Sequence, residues 1–154
     1  MTAPAASSQF QPGAAPHPKA SPALLLADLQ QVHAALRERI AALGAITAES
    51  QPSKMEYTSS RLRLSQASID RRSALGKALR FLEERGTPAD HSAVAKVRAA
   101  DGELIAHSVS HLAKWTTEAV ANDWRGYCKA SQAMREHMLR TVEAEAAVLY
   151  GLLK

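Results

Sequence analysis

The last thirty residues of the chain repeat inward-facing positions at intervals of three and four residues. These positions are Trp124, Tyr127, Ser131, Met134, Met138, Thr141, Glu145, Val148 and Leu152. The spacing predicts a helix with one face packed against other helices. Thr141 and Glu145 place polar side chains on that face, and a buried polar group costs free energy unless it is hydrogen-bonded or binds a ligand. This helix is therefore predicted to hold a site, or to keep the position of a former one.

The first helix is predicted to begin after Ser21, which can cap it, with Pro22 at its first position. It should run to about Thr47. Its apolar stripe consists of Leu25, Leu29, Val32, Leu36, Ile40 and Leu43.

The second helix is predicted from a capping box formed by Ser53 and Glu56 to about Arg85. Gly86 then suits the left-handed position that follows a helix end. Serines interrupt the apolar stripe in the N-terminal half of this helix, which favours loose packing there or contact with a second subunit. They are Ser59, Ser60, Ser65 and Ser68.

Thr87 and Pro88 repeat the cap-then-proline signal at the start of a third helix. Residues 116–122 are expected to form a turn or one short helical turn, and Asp123 suits the cap of the last helix, which should end near Gly151. Trp115 and Trp124 flank this connection and are predicted to close the end of the molecule as hydrophobic plugs. The predicted apolar side of the third helix comprises Val94, Val97, Leu104, Ile105, Val109, Leu112 and Trp115.

Four long helices with short connections predict an all-α, antiparallel up-down-up-down four-helix bundle over residues 21–154. The first twenty residues hold four of the seven prolines and few large apolar side chains, so they are predicted to be a disordered leader. No secretory signal or membrane-spanning stretch is recognisable. The single cysteine, Cys128, fits a reducing compartment, and a cytoplasmic location is expected.

The net charge of +4 is concentrated between residues 53 and 85, where eight basic residues face four acidic ones. A predicted protein-partner surface on the second helix consists of Arg61, Arg71, Arg72 and Arg80. The alternative is a solvated face that keeps the bundle soluble. Nucleic-acid binding is disfavoured because no aromatic residues interleave with the arginines.

Inward histidines and one glutamate raise the question of a metal site, since bundles bind metals through such side chains. At 1.5 Å per residue, His33 lies roughly 20 Å from the C-terminal end of the first helix, and His137 lies a similar distance from the start of the last helix. His107 and His111 lie only about 12 Å and 6 Å from the end of theirs. Along the bundle axis, the first two histidines are therefore expected to lie about two turns from the other two. This mismatch favours ordinary interior residues over metal ligands. If a metal binds, its candidate ligands are His33, His107, His111, His137 and Glu145.

Three segments resemble the hemerythrin-like family, also called HHE cation-binding domains. Residues 141–151 are similar to the family pattern H-I-x-x-E-E-x-x-L-F/Y-P, and residues 32–36 resemble its D-H-x-x-L segment. Residues 111–116 and 123–127 are similar to H-V-A-R-W-T and D-W-P-G-Y of a proteobacterial branch. The resemblance implies a bacterial four-helix bundle with a two-iron centre.

Departures from the family pattern affect the iron ligands. The chain retains His33 and Glu145, but Thr141 stands where an iron-binding histidine is expected and Gly151 replaces a proline. The second helix lacks the His-x-x-x-Glu pair that the resemblance implies. We therefore interpret the chain as a non-catalytic hemerythrin-like bundle that has lost its iron and serves as an interaction or regulatory module without a cofactor.

Two alternatives remain open at this point. One is an iron-binding hemerythrin-like protein that stores or senses oxygen, nitric oxide or iron. The other is a small basic helical adaptor whose family resemblance is accidental, and a homodimer is compatible with either. An enzyme is not expected, since the sequence contains no glycine-rich phosphate loop, nucleophile elbow or paired-cysteine motif.

Overall fold

The computed structural model describes residues 20–154, which contain five helices and no strand. The helices are α1 (Pro22–Thr47), α2 (Lys54–Arg85), α3 (Pro88–Lys114), α4 (Thr117–Asn122) and α5 (Trp124–Leu152). The predicted all-α class is confirmed for this part of the chain. The predicted disordered leader lies, apart from its last residue, outside the described residues. None of the described helices is long and apolar enough to cross a membrane.

The helices begin and end close to the predicted residues because local capping sets their limits. In four cases the cap side chain accepts a hydrogen bond from the backbone N–H three residues further on. The four cap residues are Ser53, Thr87, Thr116 and Asp123. Ser21 precedes α1 as predicted, but its side chain makes no capping hydrogen bond. Gly86 ends α2 with a φ of 73°, in the left-handed region.

The buried face of α1 differs from the predicted stripe at one position. His33 is fully buried, whereas the neighbouring Val32 is only partly buried. The reason is that His33 falls between Leu29 and Leu36 at helical spacing, and hydrogen bonds satisfy its ring nitrogens in the interior.

The C-terminal half of α5 also departs from the predicted face. The prediction placed Val148 and Leu152 inside, but Leu149 and Leu153 are the fully buried residues there. A strict three-four alternation repeats every 3.5 residues, whereas a straight helix turns once every 3.6 residues. The buried face therefore drifts by one position over the length of α5.

Three of the seven residues on the predicted apolar side of α3 are not buried. Val94, Val97 and Leu104 are buried, but Val109 is 63% exposed and Leu112 is 49% exposed. This part of α3 faces a cavity between α2 and α3 rather than a packed neighbour. The prediction was wrong for these two residues because helical spacing identifies a side of a helix without showing what covers it.

The end of the molecule where α4 lies is closed by aromatic residues, as predicted for Trp115 and Trp124. Trp115, Tyr57 and Tyr127 form a buried cluster with Trp124 packed at its edge. The Trp124 indole N–H donates to the carbonyl of Glu49, in the connection between α1 and α2, at 2.9 Å. The start of α5 is therefore level with that connection.

Helix α3 stops short of this level. The carbonyl of Trp115, just after α3, accepts a hydrogen bond from Arg61, which lies about two turns into α2. The short helix α4 covers the remaining height and places Val120 in the aromatic cluster. If α3 ended level with the start of α5, each residue of α3 would face a residue of α5 about two turns closer to that start than the one it actually faces.

We expect Gly86→Ala to lower the free energy of unfolding by about 1 kcal/mol, since a Cβ is disfavoured in the left-handed conformation. Gly102→Ala is the matched control, because Gly102 lies exposed inside α3 with open space around its Cβ position. That variant should instead gain about 1 kcal/mol of stability. Urea denaturation followed by circular dichroism measures both, and equal signs would contradict the assigned end of α2.

Candidate functional site

A single layer of polar side chains divides the apolar core of the molecule. Each of the four long helices contributes one residue, and on each helix that residue lies between two separate apolar clusters. On α5, for example, Glu145 lies between Val142 of one cluster and Leu149 of the other. We call this set the charged layer; it consists of His33, Arg71, Asp101 and Glu145.

Arg71 is the centre of the charged layer and is only 2% exposed. Its Nε donates to Glu145 Oε2 at 3.1 Å, and its Nη2 donates to the second carboxylate oxygen, Oε1. The same Nη2 also donates to Asp101 Oδ1 at 2.8 Å. Such a two-pronged arrangement matches the planar guanidinium to the carboxylate and is among the stronger hydrogen-bond geometries in proteins.

His33 completes the layer from α1. Its Nε2 lies 2.9 Å from Glu145 Oε2, and its Nδ1 lies 2.6 Å from the Tyr150 hydroxyl. Because an ionised carboxylate can only accept, Nε2 carries the proton in this pair. The Tyr150 hydroxyl is the partner of Nδ1, so both nitrogens of His33 and both oxygens of Glu145 are satisfied.

Electrostatics keep Glu145 ionised despite its burial. Desolvation on its own would raise the pKa of Glu145, but hydrogen bonds from His33 and Arg71 outweigh it and hold the pKa below its ordinary value. Burial would likewise lower the pKa of Arg71, yet Glu145 and Asp101 raise it. The layer is therefore a set of paired charges in the interior.

The charged layer contains two of the predicted candidate ligands, His33 and Glu145. It also contains Arg71, which was predicted elsewhere. Arg71 was predicted to belong to an exposed partner surface, and this is wrong because its guanidinium is buried among the long helices. Arg61 is half-buried and bonded to Trp115. Arg72 and Arg80 are exposed, as a partner surface requires.

His107 and His137 form a second contact that was predicted not to exist. Their Nδ1 atoms lie 2.7 Å apart and their rings are 5.0 Å apart, centre to centre. The expected mismatch in height was wrong because α3 stops about two turns short of the start of α5. One Nδ1 must donate a proton and the other must accept it, so only one of the two Nδ1 atoms is protonated in this contact. His111 lies apart from this pair, against the ring of Tyr127 at 6.0 Å.

Neither the His33–Glu145 contact nor the His107–His137 contact is part of a larger set of possible metal ligands in the described residues. Among residues 20–154, no group of three or more His, Cys, Asp or Glu side chains is placed to hold a metal ion. Burial, followed by the charges of Arg61 and His107, lowers the pKa of His111 to about 4. Burial and His107 also lower the pKa of His137.

Asp101 and Tyr150 are the members of this site that the sequence analysis missed. A usable signal was present on α3, where the predicted apolar side has a gap between Val97 and Leu104. Asp101 fills that gap at helical spacing and is only partly exposed. An acidic residue at an inward position of one helix and an arginine at an inward position of the next together indicate a buried ion pair.

The chain matches no protein-family model, no curated protein and no solved structure.

The charged layer predicts strong coupling between its two central residues. Arg71→Met and Glu145→Met should each lower the free energy of unfolding by about 3–5 kcal/mol, because each leaves a buried charge without its partner. The double variant should lose far less than the sum of the two. Urea denaturation of the unmodified protein, the two single variants and the double variant gives the coupling energy. Arg72→Met is the exposed control. Additive losses of stability would contradict the pairing.

Stability should also fall as the pH is lowered from 7 to 5. The pKa of His111 is lower in the folded protein than in the unfolded chain, so the unfolded chain binds more protons between about pH 6.5 and 4. His111→Gln should remove about 1 kcal/mol of this loss, allowing for the partial exposure of the ring. Urea denaturation at both pH values tests this. A pH dependence of stability that is the same in His111→Gln and the unmodified protein would contradict the assignment.

Proposed function

We propose that this chain is a non-catalytic, hemerythrin-like four-helix bundle that acts as an interaction or regulatory module, and that a guanidinium has taken the place of its iron. The observation that carries the proposal is the position of Arg71, between Glu145 and Asp101 in the bundle interior. The chain's single cysteine supports a cytoplasmic location.

The proposed up-down-up-down topology is supported by the pattern of side-chain contacts between α2, α3 and α5. Arg61 contacts Trp115, Arg71 contacts Asp101, and Arg85 contacts Asp90. Residue numbers thus rise on α2 as they fall on α3, which is the relation of antiparallel neighbours. His107 with His137 and the charged layer extend the same relation to α5.

The two family ligands that the sequence retains support the proposed ancestry. His33 on α1 and Glu145 on α5 lie far apart in sequence, yet their side chains meet at 2.9 Å. The resemblance implies further iron ligands on the second helix, and that helix supplies Arg71 at the same level. A positive side chain held by two carboxylates, one of which also pairs with a histidine, supplies the charge of a bound cation.

The residues present do not fit a two-iron centre. Both oxygens of Glu145 accept hydrogen bonds from Arg71, and both nitrogens of His33 have partners. An iron ion at Glu145 would also lie next to a guanidinium charge, and repulsion between like charges is costly in the interior. We therefore derive no chemistry from iron in this protein.

The exposed basic residues of α2 support a protein partner with an acidic surface. Arg72 and Arg80 are exposed and are the members of the predicted surface that remain available. The charges of such a surface act mainly on the rate and selectivity of association.

Protein purified from iron-supplemented medium should contain much less than one iron per chain. Removing the guanidinium with Arg71→Ala should open the layer to a cation, because Glu145 and Asp101 then lack their positive partner. We expect Zn²⁺ or Fe²⁺ to raise the melting temperature of Arg71→Ala but not that of the unmodified protein, since a ligand stabilises the state that binds it.

Arg72→Ala is the matched control, as it removes the neighbouring exposed arginine and should gain no metal response. Elemental analysis and thermal denaturation give independent readings. About two irons per chain with visible oxo-bridge absorption in the unmodified protein would overturn the proposal.

A further inference from the structure

A cavity of about 240 Å³ opens between α2 and α3 on one side of the charged layer. Buried apolar residues of α1 and α5 line its deep part, including Leu36, Met134 and Met138. Ile69, Val109 and Leu112 line it as well and are large apolar side chains exposed to solvent. The cavity thus combines an apolar interior with an apolar opening.

Apart from Tyr127, the ionisable residues around this cavity are arginines and a histidine. Among residues 20–154, no aspartate or glutamate lines it, whereas Arg61, Arg71, Arg72 and Arg135 do. The charge of Arg71 is already balanced by Glu145 and Asp101. Arg61 and Arg135, by contrast, form no ion pair within the described part of the chain, so their charges are available to a bound anion.

Neutral groups hold these two arginines in place. Arg61 donates to the Trp115 carbonyl and lies over the Tyr127 ring at 5.2 Å. Arg135 donates to the hydroxyls of Thr47 at 3.0 Å and Ser131 at 3.3 Å. Both guanidinium groups are therefore ordered by the fold without being neutralised, which suits the recognition of a carboxylate.

The Tyr127 hydroxyl adds an unused donor to the same place. Ser131 lies close enough to oppose the rise in the Tyr127 pKa that burial causes, but it forms no hydrogen bond of good geometry with the hydroxyl. Among residues 20–154, this hydroxyl is the buried side-chain polar atom that lacks such a partner. Tyr127 lines the cavity, and both Arg61 and Arg135 act electrostatically on its hydroxyl. Leaving such a donor unpaired costs free energy that a ligand oxygen would recover.

We propose that this cavity binds a small apolar carboxylate, with its carboxylate at Arg61, Arg135 and the Tyr127 hydroxyl and its apolar body among the leucine and methionine side chains. An engineered cavity of about 150 Å³ holds benzene, so about 240 Å³ accommodates roughly ten heavy atoms. Apolar clefts with a few convergent polar groups are the usual form of small-molecule sites, including sites between helices of bundles. The inference does not depend on the proposal that the protein descends from an iron-binding one.

Octanoate and phenylacetate are suitable probes because they share the carboxylate and the size but differ in an alkyl or an aryl body. Titration calorimetry should detect binding of at least one of them, accompanied by a change in tryptophan fluorescence, since Trp115 and Trp124 pack against Tyr127. Octan-1-ol and octylammonium are matched in shape to octanoate. We expect both to bind at least about ten-fold more weakly, because a charge-assisted hydrogen bond contributes about 1.5–3 kcal/mol.

Arg61→Gln and Arg135→Gln should each weaken binding of the carboxylate about ten-fold and change octan-1-ol binding little. Arg80→Gln removes the same charge from an exposed position of α2 outside the cavity and should have no effect. Ser65→Phe places a ring in the cavity wall and should abolish binding of every probe. Thermal denaturation of each variant verifies that it is folded.

Equal affinities for octanoate, octan-1-ol and octylammonium would overturn the proposal, as would the absence of binding by both carboxylates to folded protein. Octanoate binding that persists in Ser65→Phe would place the ligand elsewhere and overturn it as well. Sedimentation velocity provides the last test. A dimer that is unaffected by the carboxylates and excludes them would assign the opening to a second copy of this chain instead.

Discussion

The buried pairing of Arg71 with Glu145 constrains the rest of this structure. Each charge would be costly to bury alone, and together they are tolerable because two hydrogen bonds join them and His33 and Asp101 complete their partners. Since the four residues come from four different helices, a shift of any helix by one turn would break at least one of these hydrogen bonds. The charged layer therefore fixes the relative heights of the helices more tightly than interchangeable leucine contacts could.

The two sides of the charged layer differ, and that difference has functional consequences. On one side, Leu29, Leu75, Leu82 and Leu149 are all almost completely buried in a continuous apolar cluster. On the other side α3 ends early, serines replace apolar residues on α2, and a cavity remains. Polar groups replace part of the apolar packing there, and the Tyr127 hydroxyl is left without a hydrogen bond of good geometry. A region that is incompletely packed and carries unpaired positive charge has the properties of a binding site rather than those of a core.

Features encoded by neighbouring residues could be predicted from the sequence, whereas features that depend on several helices could not. The caps at Ser53 and Thr87 and the left-handed Gly86 involve contacts within a few residues, and all three were placed correctly. Glu145 was also recognisable, because it and Thr141 interrupted an apolar face with polar side chains. The burial of Arg71 was missed because arginine is usually exposed and its partners lie 30 and 74 positions away in sequence. The His107–His137 contact was missed for a related reason: the offset between α3 and α5 depends on how α4 packs.

The charged layer and the cavity suggest how a bundle of this kind can change its function without changing its fold. A guanidinium that pairs with the inward carboxylates supplies the positive charge that a metal would otherwise supply, so the interior remains electrostatically balanced. Under the ancestry proposed above, the helices would keep their heights after the metal was lost. Space for a ligand opens beside the charged layer. The arginines Arg61 and Arg135 lie about three turns from that layer and are oriented by a carbonyl and by hydroxyl groups instead of carboxylates. In this view the paired charge of Arg71 stabilises the fold, and the unpaired charges next to the cavity are the ones available for binding.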